Sequence, residues 1–267
     1  MSDLSPLSIT VLASSFTFLM TALGASLVFF IKKNHNKTLT KISLGFAAGI
    51  MLAAAVWGLL MPAMEHAQKL GINKMIPACG GFLLGALFLF AIDKCLPHLH
   101  PISKVQDGPN VHFNDNFLLF TAITIHNIPE GLALGVIVSA AANLGSSDLI
   151  TSTMILALGI GIQNIPEGTA VSMPMFVSGV SKIKSFVMAA LSGITEPIAA
   201  IVAVLCLGGS MTVFLPWALS FSAGAMLYVV CEELIPQSHK DAGHTDLATM
   251  SVLLGFVLMM FLDITLS

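Results

Sequence analysis

Thr121-Ala-Ile-Thr-Ile-His126-Asn127-Ile128-Pro129-Glu130-Gly131 and Gly159-Ile-Gly-Ile-Gln163-Asn164-Ile165-Pro166-Glu167-Gly168 carry the same pentapeptide, Asn-Ile-Pro-Glu-Gly, in apolar surroundings. Each copy lies inside an uninterrupted hydrophobic run far longer than a strand, so both read as helices. His126 and Glu130 are four residues apart and share one helix face, as do Gln163 and Glu167. Each helix therefore presents a two-ligand clamp. Proline at 129 and 166 removes the donor that would bond the carbonyls of Ile125 and Ile162, which predicts opened helices there.

The rest of the chain explains why a carboxylate in such a helix matters. Of 267 residues, 56% are hydrophobic and only 9% charged, with a mean hydropathy of +0.92. A soluble domain carries about a quarter charged residues, so soluble enzymes and nucleic-acid binders are excluded. At about 20 apolar residues per crossing, there is room for eight spans and no sizeable extramembrane domain. The expected fold is all-α: a polytopic membrane protein with eight transmembrane helices forming a single domain over residues 1–267. The helices are expected near 7–31, 39–66, 75–96, 114–141, 148–177, 183–208, 212–238 and 246–266. A barrel would show alternation in ten-residue segments, and none is visible. Asp3 precedes the first apolar run and Lys32 and Lys33 follow it, the reverse of a signal peptide, so this run is expected to stay as a helix. Cys79, Cys95, Cys206 and Cys231 share no CxxC spacing and read as small buried apolar residues.

All eleven basic residues are lysines. With these spans, Lys32, Lys33, Lys37, Lys41, Lys94, Lys104, Lys182, Lys184 and Lys240 fall on one side, and only Lys69 and Lys74 on the other. The bias puts the larger set in the cytoplasm and both termini outside it. The long connection between the third and fourth helices, with His98, His100 and His112, is then cytoplasmic. The fourth and fifth helices run antiparallel and form an inverted pair around a midplane site.

A third buried acid joins them, in Ser192-Gly193-Ile194-Thr195-Glu196-Pro197. The centre would contain His126, Asn127, Glu130, Gln163, Asn164, Glu167 and Glu196, with no basic residue near. Ionised groups at mid-membrane cost about 2.5–3.5 kcal/mol each on insertion scales. Three carboxylates there are either protonated or share a cation. Imidazole with carboxylate and amide oxygens suits zinc, iron, manganese or cobalt, whereas magnesium favours oxygen and retained water. Without thiolate at the site the ion is released readily, which fits transport better than storage. Four other readings are a packing kink, a metal-free proton relay, a proton-coupled organic-substrate transporter, and an intramembrane metal-dependent enzyme or metal sensor. The enzyme lacks support from any HExxH or Glu-x-x-His pair, and no Walker loop points to ATP.

At these residues the sequence resembles the ZIP (Zrt/Irt-like) family of metal transporters, and Gln163 makes it most similar to the prokaryotic GufA-like branch. The resemblance implies eight helices, extracytoplasmic termini, a histidine-bearing cytoplasmic loop, and uptake of divalent metal across a prokaryotic inner membrane, usually as a homodimer. It implies zinc foremost, with cadmium, iron, manganese and cobalt as further ions, no prosthetic group and an elevator-like movement. By motif position His126, Glu130, Gln163, Glu167 and Glu196 form the primary metal site, with Met51 of Gly49-Ile-Met-Leu-Ala contributing to it or lining it. A second site uses Asn127 and Asn164, and some members carry Asp at the latter position, so one anionic ligand is missing here. Asp93, His98, Cys231, Glu232, Glu233, His239 and His244 fall near the expected cytoplasmic face; Asp93 and Glu233 sit where relatives place exit-path acids, and Glu232 where relatives can carry His. Glu65 and His66 lie on the outer side, as entrance or interface residues.

Overall fold

The computed structural model describes residues 5–31, 36–95, 98–99, 106–107, 115–144, 147–206, 213–239 and 245–266. Among them the chain is helical, apart from an antiparallel pairing of His98–Leu99 with Gln106–Asp107. Helix α1 (Pro6–Ser26) starts where its sequence predicts: Ser5 Oγ accepts the Ser8 amide at 3.2 Å, and Pro6 fills the first helical turn. It tightens into a 3₁₀ turn at Leu27–Phe30. Helix α2 (Asn36–Ala53) passes through a π-helical stretch, Ala54–Leu60, into α3 (Met61–Lys69). Then come α4 (Met75–Cys95), α5 (Asp115–Leu144), α6 (Ser147–Val177), α7 (Lys182–Ser192) and α8 (Thr195–Cys206). Helix α9 (Leu215–Val229) continues through a second π-helical stretch, Val230–Leu234, into α10 (Ile235–Ser238), and α11 (Thr245–Leu266) ends the described chain.

Six of these runs are long and apolar enough to cross a membrane: Pro6–Phe30, Lys41–Lys69, Met75–Ile92, Lys182–Cys206, Leu215–Ser238 and Asp246–Thr265. The duplicated motifs lie on the two longest helices, α5 with 30 residues and α6 with 31. Large apolar side chains stay exposed along α4 and α11, among them Leu83, Leu84, Leu87, Leu253, Leu254 and Phe261. An apolar rim of this kind suits lipid rather than water.

Helices α5 and α6 continue past Pro129 and Pro166: one proline removes a single backbone bond, and the flanking bonds keep the helix going. Two expectations need correction. The expected single helix over 183–208 instead breaks at Gly193–Ile194, just before Pro197, into α7 and α8. The cysteines are not core residues, since Cys79, Cys206 and Cys231 lie exposed on helix surfaces. A thiol is apolar enough to sit there. Cys95's side chain is outside the described residues.

Small residues set the packing. A β-carbon on Gly24 would stand 1.9 Å from the Ile165 carbonyl oxygen, and one on Gly168 2.0 Å from that of Thr21, so α1 and α6 touch backbone to backbone. The same closeness joins α5 to α8 (Gly131 against Glu196), α2 to α11 (Gly49 against Val252) and α4 to α9 (Gly85 against Phe221). In α5–α8, α2–α11 and α4–α9 residue numbers rise together at these contacts, as with Gly131 and Gly135 against Glu196 and Ala200. In α1–α6 they do so at the hydrogen bonds from Asn164 to the Thr17 carbonyl and from Thr169 to the Gly24 carbonyl, so all four pairs are parallel. Helices α1, α5, α6, α7 and α8 thus form one group and α2, α4, α9 and α11 another. Between the groups α2 packs on α6 and α5 on α9. That seam is filled by side chains such as Met51, Leu134, Met226 and Met259 in one buried cluster. Ser222 Oγ of α9 also donates across it to the Pro129 carbonyl of α5 at 2.8 Å.

Candidate metal site

Six of the singled-out polar residues meet in the first helix group. Asn127 and Glu130 come from α5, Gln163, Asn164 and Glu167 from α6, and Glu196 from the first turn of α8. All six are at most 1% exposed. The spacing explains the convergence. Four-residue steps put Glu130 and Gln163 on facing helix surfaces, and the close approach at Gly131 draws α8 onto α5, so that Glu196 reaches the same centre.

The hydrogen bonds pair amides with acids. Gln163 Nε2 donates to Glu130 Oε1. Asn164 Nδ2 donates to Glu196 Oε2 at 2.7 Å and to the Thr17 carbonyl at 3.2 Å. Asn127 Nδ2 donates to the Ser192 carbonyl at 2.9 Å, in the last turn of α7, and Thr195 Oγ1 bonds the Thr124 carbonyl at 2.8 Å. The broken helix is therefore pinned to α5 from both sides of the break. Glu130 and Glu167 lie near enough to Glu196 for their charges to act on it. Glu196 also sits at the positive end of α8, where peptide dipoles favour an anion.

Four buried oxygens, Asn127 Oδ1, Gln163 Oε1, Asn164 Oδ1 and Glu196 Oε1, have no hydrogen-bond partner among the described residues. A buried acceptor left unmade costs about 1–3 kcal/mol, and four of them around three acids make a donor set for a cation. The set is oxygen-rich and amide-rich: no cluster of three or more His, Cys, Asp or Glu side chains forms a ligand group among the described residues.

The remaining candidates are dispersed. His126 lies on α5, one turn before Glu130, but its side chain is outside the described residues. So are those of Asp93, on α4, and of His98, and so are His100, His112 and His244 altogether. Met51 is fully buried in the apolar cluster of the seam. Glu232 is half-buried and Glu233 buried, both in the π-helical stretch, with Glu233 accepting a bond from Gln237 at 2.9 Å. His239 caps α10 through Ser238 and the Ile235 carbonyl. Glu65 is exposed and His66 half-buried at the far end of α3. Sequence reasoning missed Asp263, an acid in an apolar helix that lines one crevice with Glu130 and Gln163. An acid in a candidate membrane span was the signal. It missed the backbone partners too, for which no sequence signal exists.

An all-helical bundle with apolar outer helices and buried acids, amides and orphaned oxygens at its centre defines a class: multi-pass membrane proteins with a polar, acid-bearing core. A family model described as "ZIP Zinc transporter" matches residues 103–263. The chain is 38% identical to the zinc transporter GufA of Myxococcus xanthus, over 79% of this chain and 80% of that one. It is 34% identical to the zinc transporter ZIP11 of Homo sapiens, over 96% of each, and 34% identical to the zinc transporter ZupT of Escherichia coli O7:K1, over 96% and 95%. The chain belongs to the ZIP family.

Proposed function

We propose that this protein carries divalent transition-metal ions, zinc foremost and cadmium, iron, manganese and cobalt as further cargo, across a bilayer into the cytoplasm. The observation that carries the reading is the set of amide–acid pairs, Gln163 with Glu130 and Asn164 with Glu196, beside buried amide oxygens without partners. A cation arriving among these groups takes the carboxylates as ligands. Rotation of the Gln163 and Asn164 amides then turns their oxygens toward it. The acids supply up to three negative charges, enough to neutralise one divalent ion in full and a second in part. One tight site, with His126, Glu130, Gln163, Glu167 and Glu196, and one weaker site using Asn127 and Asn164 follow, with Met51 at the edge of the first. Release needs the acids to be shared or reprotonated, so metal and proton movements are coupled.

Eight spans are supported by the four parallel pairs. Numbered along the chain, the paired runs are first and fifth, second and eighth, third and seventh, fourth and sixth, each of equal parity, as alternate crossings require. The lysine bias puts both termini outside the cytoplasm of a prokaryotic inner membrane, with α5 and α6 as an inverted pair. Movement of one helix group against the other is supported by the contrast between backbone-tight pairs within groups and a side-chain seam between them. Such a seam, rich in methionine and alanine, slides at low cost. Asp93, His98, Glu232 and Glu233 belong to the exit side, and the working unit is a homodimer.

The test is metal influx into sealed proteoliposomes holding the purified protein, comparing zinc, cadmium, iron, manganese and magnesium. Transition metals enter and magnesium does not, and Glu167→Gln abolishes entry while the variant still purifies as folded protein. Normal uptake by that variant would remove the site from the mechanism.

A further inference from the structure

Helix α1 carries a row of buried hydroxyls, Thr10, Ser14, Thr17 and Thr21. Three- and four-residue steps place them on one face, and α6 meets this face at the Thr17 and Thr21 carbonyls. The same row seats the broken helix, because a β-carbon on Gly193 would stand 3.0 Å from the Thr21 side chain. Thr17 reaches both partners of the Asn164–Glu196 pair. Its carbonyl accepts from Asn164 Nδ2 at 3.2 Å, and its hydroxyl is near enough to the Glu196 carboxyl to hydrogen-bond it. In this structure the hydroxyl gives its proton to the Ser14 carbonyl at 3.0 Å, and Asn164 Nδ2 holds Glu196 Oε2 instead. Glu196 Oε1 and Asn164 Oδ1, both buried, have no hydrogen-bond partner among the described residues.

We propose that Thr17 is a positioning residue for metal binding: when Asn164 turns its amide oxygen toward the cation, the Thr17 hydroxyl swings from the Ser14 carbonyl to Glu196 Oε2 and replaces the lost donor. The inference rests on the metal-site reading above and deepens it. Rotation of the Asn164 amide strips Glu196 Oε2 of its hydrogen bond, and a buried charged acceptor left bare is costly. The Ser14 carbonyl that the hydroxyl leaves still takes its helical bond from the amide four residues on, so the exchange orphans nothing. With Oε2 tied to α1, Glu196 offers Oε1 alone to the cation, as a one-oxygen ligand in a fixed direction.

Calorimetric zinc binding to the purified protein in detergent tests this with Thr17→Val, Thr17→Ser and Thr10→Val. Valine has the shape of threonine without the hydroxyl, and it keeps the backbone carbonyl that Asn164 uses. Thr17→Val should weaken zinc binding about tenfold, the worth of one hydrogen bond to a charged group, and Thr17→Ser should bind as the parent does. Thr10→Val makes the same change two turns away, where the hydroxyl donates to the Pro6 carbonyl, and should also bind as the parent does. In chelator Thr17→Val should unfold at the same temperature as Thr10→Val, because Asn164 then holds Glu196. In an Asn164→Ala background the hydroxyl has already turned, so there Thr17→Val should lower the unfolding temperature and Thr10→Val should not. Parental affinity in Thr17→Val, a loss that Thr17→Ser does not restore, or an equal loss in Thr10→Val would overturn the proposal, as would equal unfolding of the two valine variants in the Asn164→Ala background. If Thr17→Val does not fold, Thr17→Ala against Thr17→Ser decides by the same comparison, with Thr10→Ala as control. No zinc binding by the parent itself would instead refute the metal site, and the role of Thr17 with it.

Discussion

Replacing Asn164 by Asp tests whether this side chain faces the acids. Asn164 Nδ2 stands 2.7 Å from Glu196 Oε2, both residues fully buried. The substitution removes a hydrogen bond to a charged group, about 1.5–3 kcal/mol, and sets a second carboxylate against the first. Coulomb's law at an effective dielectric of 20 gives about 6 kcal/mol for two unit charges at the 2.7 Å separation. A divalent cation between them turns that repulsion into attraction. Asn164→Asp should therefore be less stable than the parent in chelator, and gain more stability from zinc than the parent does. Asn164→Ala loses the same bond without adding charge and is the control. The assay is thermal unfolding in detergent, with and without zinc, together with the stoichiometry of bound zinc, which should rise toward two in Asn164→Asp. Identical unfolding of Asn164→Asp and Asn164→Ala in chelator and in zinc would refute the reasoning, because position 164 would then face neither an acid nor a metal.

Further tests address the packing. Gly24→Ala puts a methyl group 1.9 Å from the Ile165 carbonyl oxygen, so α1 must draw back and carry the Thr17 carbonyl away from Asn164; overpacking of this kind costs about 1–3 kcal/mol, visible as a lowered unfolding temperature and weaker zinc binding. Met51→Leu conserves volume in the apolar seam and should cost under about 1.5 kcal/mol with zinc affinity unchanged, measured by calorimetry; a selective fall in cadmium affinity would show the thioether at the metal.

The sequence alone determined the class of the molecule and most of its chemistry. Low charge and long apolar runs leave a bilayer no choice but helices, because every backbone polar group must be satisfied within its own segment. The repeated Asn-Ile-Pro-Glu-Gly placed acids four residues from His126 and Gln163, and helical periodicity alone fixes such pairs on a face. The sequence could not say which helices embrace. That is decided by where small residues let backbones meet: Gly131 brings Glu196 to the centre, and Gly24 brings the Thr17 carbonyl to Asn164. Nor could it place the break, since Pro197 alone reads like Pro129 and Pro166, yet only α8 restarts beside its proline, after Gly193. Asp263 makes the difference plain. It is remote in sequence from both motifs, and it comes to line one crevice with Glu130 and Gln163 only because α11 lies parallel to α2 and a glycine at position 58 leaves room between them.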